Sequence, residues 1–279
     1  MSAPGLEPAK PRVWPSFVTL MLALLAILVT GGVLGIIVIV KGGKDASPAA
    51  LMAQPGFLVA AAALSQGCLF LAVWLLPRLF KDVGEAGWGA RMRWRPERLG
   101  WLDVVVCAVG TQAIGAAALA VLTLLEVKGG LLASMSGAAK ETSLAQFALL
   151  LLFGAIAPGL AEELTFRGLL QTRLVERWGA FTGVVVSATL FGLWHLDLRQ
   201  GLMAMTMGLW LGWCALRHQS IVNVAFAHVA NNAFAFTMTR FGDPEPERNA
   251  PFATVAVSLL VAALCAVIVQ RRAQRSSGI

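Results

Sequence analysis

The chain has 279 residues, of which 58% are hydrophobic and only 13% are charged. Soluble domains carry about 25% charged residues, so the composition excludes an ordinary soluble protein and indicates an integral membrane protein. The net charge of +7 comes without a basic cluster interleaved with aromatic residues, which argues against nucleic acid as a partner.

Long apolar runs divide the chain from end to end. Because a transmembrane helix needs about 20 apolar residues, these runs predict an all-α integral membrane protein with about eight transmembrane helices. The first run is too long for the core of a signal peptide and no small-residue cleavage pattern follows it closely, so we expect it to be retained. The predicted spans are 17–40, 56–77, 101–125, 144–175, 178–196, 200–216, 219–239 and 250–270.

Lysine and arginine are distributed unevenly among the connections between these spans. With eight spans both termini lie on one side, which carries 14 of the 22 basic residues; seven lie on the other side, and Arg167 lies inside a span. Cytoplasmic connections of membrane proteins are enriched in these residues. We therefore predict a multi-pass protein of the cell (inner) membrane, with both termini and the loop 78–98 in the cytoplasm.

The fourth predicted span contains three charged side chains, Glu162, Glu163 and Arg167. One charge at bilayer depth costs about 2.5–3.5 kcal/mol on insertion scales, so three charges indicate a function or a tight internal pairing. The i, i+4 spacing of Glu163 and Arg167 allows an ion pair on one helix face. Glu162 is rotated by about 100° and need not share that face. Pro158, four residues before Glu162, is expected to disturb the helix.

Two histidines lie in later spans. His195 ends the fifth span, and its position mirrors that of Glu162: each lies about 16 residues, or roughly 25 Å, from the turn near Trp178. His228 lies in the seventh span, four residues before Asn232. If the hairpin of the fourth and fifth spans protrudes by roughly 10 Å, all four side chains reach one level. We expect them to converge in a polar cavity in the cytoplasmic half of the membrane.

His218, the third histidine, falls in a predicted cytoplasmic loop and is expected to be solvated. Three kinds of hydrolytic site that are known within membranes lack support in the sequence. No HExxH zinc motif occurs, Asp243 lies in an acidic loop, and Ser136 lies in a polar connection.

A carboxylate, two imidazoles and an amide suit activation of water and stabilisation of an oxyanion. The same groups could hold a metal, since histidine and carboxylate are zinc ligands; the candidates are Glu162, His195 and His228. Two further interpretations stay open at this point. The polar residues could simply join helices, or they could serve a proton- or ion-coupled transporter.

Three short motifs occur in order on three separate spans: EExxxR at Glu162, FxxxH at Phe191 and HxxxN at His228. In these motifs the chain resembles the CAAX protease and bacteriocin-processing (CPBP, or Abi) family of intramembrane proteases, which is related to the Ras-converting CAAX endopeptidase. The resemblance covers about 140–240. It implies a catalytic core at 140–240, preceded by transmembrane helices and a cytoplasmic loop (1–139) and followed by a final helix and basic tail (241–279).

The resemblance implies an endopeptidase acting on membrane-associated substrates that are CAAX-like, prenylated or C-terminally anchored. Glu162 and His195 would activate water, while His228 and Asn232 would stabilise the oxyanion. The family is described both as glutamate-type and as metal-dependent; an acid–arginine pair beside an asparagine favours the metal-free mechanism and leaves zinc possible. A non-catalytic membrane scaffold or immunity protein is the rival within the family. The supporting residues would be Glu163, Arg167 and Phe191.

Overall fold

The structure is a computed structural model that describes residues 11–42, 50–51, 53–83, 87–128, 139–242 and 250–276. Regular structure in these ranges is helical, without any strand, which confirms the all-α class. The main helices are α1 (Trp14–Gly42), α2 (Pro55–Leu79), α3 (Gly87–Arg91), α4 (Trp101–Leu124), α5 (Leu144–Trp178), α6 (Ala180–Trp194), α7 (Leu198–His218), α8 (Val222–Phe241) and α9 (Pro251–Ser276).

Five of these helices, α1, α2, α4, α5 and α9, are long and apolar enough to cross a membrane. This confirms the prediction of a multi-pass membrane protein. Helix α6 is apolar but has only 15 residues, about 22 Å, which is shorter than the roughly 30 Å hydrocarbon core. Helices α7 and α8 have the length but are less apolar. The number of eight spans therefore stays a prediction.

Helix α5 is the central element, and its backbone changes type along its length. It starts with a capping box, in which Ser143 and Gln146 bond to each other's backbone N–H groups. It ends at Gly179, whose φ of 88° is in the left-handed region and lets the chain turn back into α6. Between these ends α-helix and π-helix alternate, with α-helix at Leu144–Leu151, Ala157–Glu162 and Thr172–Trp178 and π-helix at Leu152–Ile156 and Glu163–Gln171.

The first π-helical turn accommodates Pro158. Proline has no backbone N–H, and its ring crowds the carbonyl group four residues earlier, here that of Gly154. Gly154 lies within the turn Leu152–Ile156, where the wider π spacing replaces the missing i→i−4 bond. The predicted disturbance at Pro158 thus takes the form of a π turn.

The second π-helical segment lies at the centre of the bundle. All nine residues of Glu163–Gln171 are buried. Helices α6, α7 and α1 contact this segment, while α8 packs on the part of α5 that precedes it. The side chains that were singled out in the fourth span therefore lie inside protein and not against lipid.

The prediction that His218 is solvated is wrong. Helix α7 continues to this residue, and its imidazole turns inward, leaving the side chain 6% exposed. The imidazole Nδ1 lies 3.5 Å from the Asn223 amide nitrogen, and Nε2 lies 4.0 Å from a carboxylate oxygen of Asp103. Partners on α4 and α8, which are distant in sequence, thus remove this side chain from water.

Candidate active site

Glu163 and Arg167 form a buried ion pair on the π-helical segment, as their spacing predicts. The Arg167 Nη1 atom donates to Glu163 Oε1 at 2.8 Å, and the two side chains are 1% and 0% exposed. The guanidinium also donates to the carbonyl of Gly208 on α7 at 3.4 Å and lies 4.4 Å from the ring centroid of Phe191. These contacts fix Arg167 between three helices.

His228 bonds to the same carboxylate from α8. Its Nδ1 atom lies 2.9 Å from Glu163 Oε1, and its side chain is 5% exposed. Because a carboxylate accepts hydrogen bonds, Nδ1–H is the donor, and the other ring nitrogen is directed elsewhere. That nitrogen, Nε2, lies 3.8 Å from Glu162 Oε2. One imidazole therefore contacts both neighbouring glutamates.

A glycine allows α8 to come this close to α5. A Cβ atom at Gly159 would lie 2.5 Å from the side chain and 2.7 Å from the backbone nitrogen of Val229. Small residues let membrane helices approach closely. Gly159 lies about one helical turn before Glu162, and Val229 directly follows His228. The approach brings the imidazole within reach of both carboxylates.

The two adjacent carboxylates have different surroundings. Glu163 is fully buried and bonded to Arg167 and His228. Glu162 is 7% exposed, and among the described residues its only polar contact is the His228 nitrogen at 3.8 Å. Since no group in the described part of the chain donates a hydrogen bond to Glu162, its oxygens can accept hydrogen bonds from water.

His195 ends α6 and is connected to this cluster through Phe191. Its Nδ1 atom lies 2.8 Å from the Phe191 carbonyl, which makes Nδ1–H the donor and leaves Nε2 with a lone pair. The Phe191 ring meets the imidazoles of His195 and His228 edge to face, at centroid distances of 5.0 and 5.9 Å. No hydrogen bond or ion pair joins His195 to Glu162 in the described part of the chain.

Asn232 lies one turn after His228 on α8, and its side chain is half-buried. Its amide oxygen accepts a hydrogen bond from the Asn231 side chain at 3.1 Å. This bond occupies the oxygen and leaves the Asn232 NH₂ group to donate elsewhere. Sequence reasoning missed Asn231, although a second amide beside an intramembrane motif is itself an expensive polar group that signals a role.

The structure thus brings Glu162, Glu163, Arg167 and His228 into direct contact. His195 and Asn232 adjoin this group through Phe191 and through helix α8. The candidate metal ligands are not brought together as a group. In the described residues, no three His, Cys, Asp or Glu side chains are placed to hold a metal ion.

Comparison with known proteins identifies the region that contains this cluster. Residues 144–234 match the family model described as type II CAAX prenyl endopeptidase Rce1-like. Over 101 residues the chain is 30% identical to the Bacillus subtilis (strain 168) protein named "Putative membrane peptidase YdiL". This match covers 36% of the chain and 40% of that relative, so it extends over less than half of either protein. No solved structure matches the chain significantly.

The family match begins at the first residue of α5 and ends two residues after Asn232. It therefore contains all three motifs and every candidate site residue. Residues 144–234 are thus similar to the Rce1-like family of type II CAAX prenyl endopeptidases, in agreement with the resemblance given by the three motifs.

Proposed function

We propose that this protein is an intramembrane endopeptidase that uses Glu162 as the general base for hydrolysis of peptide bonds. The observation that carries the proposal is the contrast between the neighbouring carboxylates: Glu163 accepts hydrogen bonds from Arg167 and His228 through Oε1, whereas Glu162 receives no hydrogen bond from the described residues. A base must have an oxygen free to hold the attacking water. The substrates would be membrane-associated proteins or peptides that are CAAX-like, prenylated or C-terminally anchored.

In the proposed reaction, Glu162 and the Nε2 atom of His195 hold a water molecule against the scissile carbonyl. Glu162 takes a proton as the water oxygen attacks the carbonyl carbon. The resulting oxyanion accepts hydrogen bonds from His228 and Asn232. When the intermediate collapses, the carbon–nitrogen bond breaks and Glu162 returns its proton to the leaving amine.

The bond between His228 and Glu163 supports the role of His228 as a donor. Its Nδ1–H is directed to a carboxylate at 2.9 Å, which holds the ring with Nε2 facing Glu162 at 3.8 Å. An N–H group at Nε2 is the donor that would bind the oxyanion.

The proposed mechanism uses only groups of this chain. In the described residues, Glu162, His195 and His228 are not grouped as a three-ligand metal site, and the steps above are assigned to side chains alone. The supporting groups have separate tasks: Arg167 neutralises Glu163, and Phe191 spaces the two imidazoles. We also propose that 140–240 forms the catalytic core within the membrane.

Loss of an oxyanion donor is expected to slow cleavage without preventing folding. We predict that Asn232→Ala lowers the turnover number by roughly a hundred- to a thousandfold. The measurement is mass-spectrometric detection of products from membrane peptides, with and without a lipidated cysteine, incubated with purified protein in liposomes. Thr237→Ala is the matched control, because Thr237 is an exposed polar residue on the same helix that bonds to its own backbone.

Equal rates for Asn232→Ala and Thr237→Ala would remove Asn232 from the site. A wild-type protein that cleaves none of the peptides but carries ions across the liposome membrane would support the transporter instead. A protein that does neither would support the scaffold.

The location that we propose is the cell (inner) membrane, with both termini and the loop 78–98 in the cytoplasm. The loop has an exposed position, Glu97, and the connection after α4 has another, Lys128. In a chain whose native cysteines are replaced by alanine, a membrane-impermeant maleimide added to intact cells should label Lys128→Cys but not Glu97→Cys. Permeabilised cells should show both labelled. The reverse pattern in intact cells would invert the proposed topology.

A further inference from the structure

We propose that Arg91 is a positioning residue that holds the Glu162–Glu163 segment in register with His228. Arg91 ends the short helix α3 in the loop between α2 and α4, outside the region that matches the family. Its role in catalysis rests on the proposed function, whereas the connection that it makes does not. The argument starts from the backbone of the π-helical segment.

A π-helix leaves backbone groups to be satisfied where it ends. Its bonds run from i to i−5, and the following α-helix uses i to i−4, so a carbonyl near the junction loses its helical partner. The junction here lies between Gln171 and Thr172. Buried carbonyls without a donor are costly, so donors must come from elsewhere in the fold.

Arg91 donates to two carbonyls near this junction, to which the hydroxyls of Thr172 and Ser16 also donate. Its Nη1 atom donates to the Gly168 carbonyl at 3.2 Å and to the Thr172 hydroxyl at 2.9 Å, and its Nη2 atom donates to the Leu169 carbonyl at 3.0 Å. The guanidinium therefore binds the C-terminal end of the π-helical segment. Arginine can do this because its five N–H groups form a rigid planar fork.

Asp82 holds this guanidinium in place. Its Oδ2 atom accepts from Arg91 Nη2 at 2.7 Å and from Nε at 2.9 Å, and the two side chains are only 2% and 4% exposed. Burial lowers the pKa of Arg91 to about 10, which still leaves the group charged at neutral pH. Arg173 contacts the other oxygen of Asp82 at 3.3 Å but donates to neither carbonyl of the π-helical segment.

The next two residues of the loop contact both helices of the site. The carbonyl of Arg93 accepts a hydrogen bond from the backbone of Ile221, at the start of α8, at 3.1 Å. Met92 is fully buried, and its carbonyl would lie 2.8 Å from a Cβ atom added at Gly168. Residues 91–93 therefore connect the π-helical segment to the helix that carries His228.

This connection explains how a loop distant in sequence would act on the reaction. The contacts of His228 with Glu162 and Glu163 depend on the rotation of these two residues about the axis of α5 and on the position at which α8 begins. If the junction reverted to α-helical bonding, the residues before and after it would rotate relative to each other. Arg91 opposes that change.

The first test separates positioning from charge. Lysine at position 91 keeps the charge, but one ammonium group cannot serve Asp82 and two carbonyls together. We expect Arg91→Lys to lower kcat by about tenfold to a hundredfold with KM nearly unchanged. Arg173→Lys, which alters the same charge cluster without touching the carbonyls, should keep kcat within about twofold of wild type. Equal losses in both variants, or wild-type kcat in Arg91→Lys, would overturn the proposal.

The second test does not depend on cleavage. Arg91 and Glu163 share no contact, so their effects on thermal unfolding should add unless the helix register couples them. We expect Glu163→Gln to lower the unfolding midpoint by roughly 6 °C or more in the wild-type chain, and by less than half as much in Arg91→Lys. In the control cycle, the shifts of the unfolding midpoint caused by Glu163→Gln and by Arg173→Lys should add. Additive shifts in both cycles would refute the connection, even if the wild-type protein cleaves no peptide and the proposed function fails separately.

A second variant covers the case in which Arg91→Lys does not fold. Thr172→Val keeps the side-chain shape and removes the hydroxyl that binds both Arg91 and the Gly168 carbonyl. It should lower kcat in the same direction, with KM again unchanged. An unchanged kcat in Thr172→Val, together with an unfolded Arg91→Lys protein, would reduce Arg91 to a purely structural residue and overturn the proposal.

Discussion

Replacement of Glu162 by glutamine is expected to abolish peptide cleavage and to leave folding and substrate binding nearly unchanged. Glutamine keeps the size of the side chain but cannot take a proton from water. General base catalysis raises a reaction rate by roughly a hundred- to ten-thousandfold. The rate of peptide cleavage should therefore fall by a factor of at least this size. Folding should survive because Glu162 accepts no hydrogen bond from the described residues, and its loss leaves no partner unpaired.

The control for this change is Glu141→Gln, which alters an exposed carboxylate just before α5. Product formation by mass spectrometry, binding of a fluorescent substrate peptide and the thermal unfolding midpoint should be measured for both variants. Binding and unfolding should match the wild-type protein in both, and only Glu162→Gln should lose product. A loss of product that accompanies a comparable loss of folded protein would make Glu162 a structural residue.

Removal of Arg167 is expected to have the largest effect on stability. Glu163 is fully buried, and its Oε2 atom has no hydrogen-bond partner in the described part of the chain. Arg167→Ala would remove the guanidinium that neutralises this carboxylate. Breaking a buried pair in this way costs about 3–5 kcal/mol, so the yield of folded protein and the unfolding midpoint should both fall.

Two comparisons make this prediction specific to the pair. Arg177→Ala changes an exposed arginine on the same helix and should leave the midpoint nearly unchanged. The double change Glu163→Gln with Arg167→Met removes both charges, and it should recover part of the stability lost in Arg167→Ala. Full yield and a wild-type midpoint for Arg167→Ala would contradict the ion pair.

The sequence predicted those features that depend on local spacing. Long apolar runs placed the helices, and the i, i+4 rule paired Glu163 with Arg167 because both partners lie on one helix face. The order of the three motifs gave the resemblance with which the family model over residues 144–234 agrees. Each of these signals is contained in a short segment, so no knowledge of the fold was needed to detect it.

The sequence did not predict features that depend on tertiary partners. Nothing in residues 163–171 distinguishes a π-helix from an α-helix, since donors such as the Ser187 hydroxyl and Arg91 come from other elements. The contact of one imidazole with both glutamates depends on this backbone and on Gly159. The bonds of Arg91 to Gly168, Leu169 and Thr172 span 77 to 81 positions, and the burial of His218 depends on α4 and α8.

The most direct test of the central claim is cleavage of membrane peptides by purified protein in water enriched in ¹⁸O. The wild-type protein should release fragments whose new carboxyl terminus contains ¹⁸O, since the attacking oxygen comes from water. Glu162→Gln should bind the same peptide and release none. Cleavage by Glu162→Gln at the wild-type rate, or no cleavage of any peptide by the wild-type protein, would contradict the assignment of Glu162 as the base of an intramembrane protease.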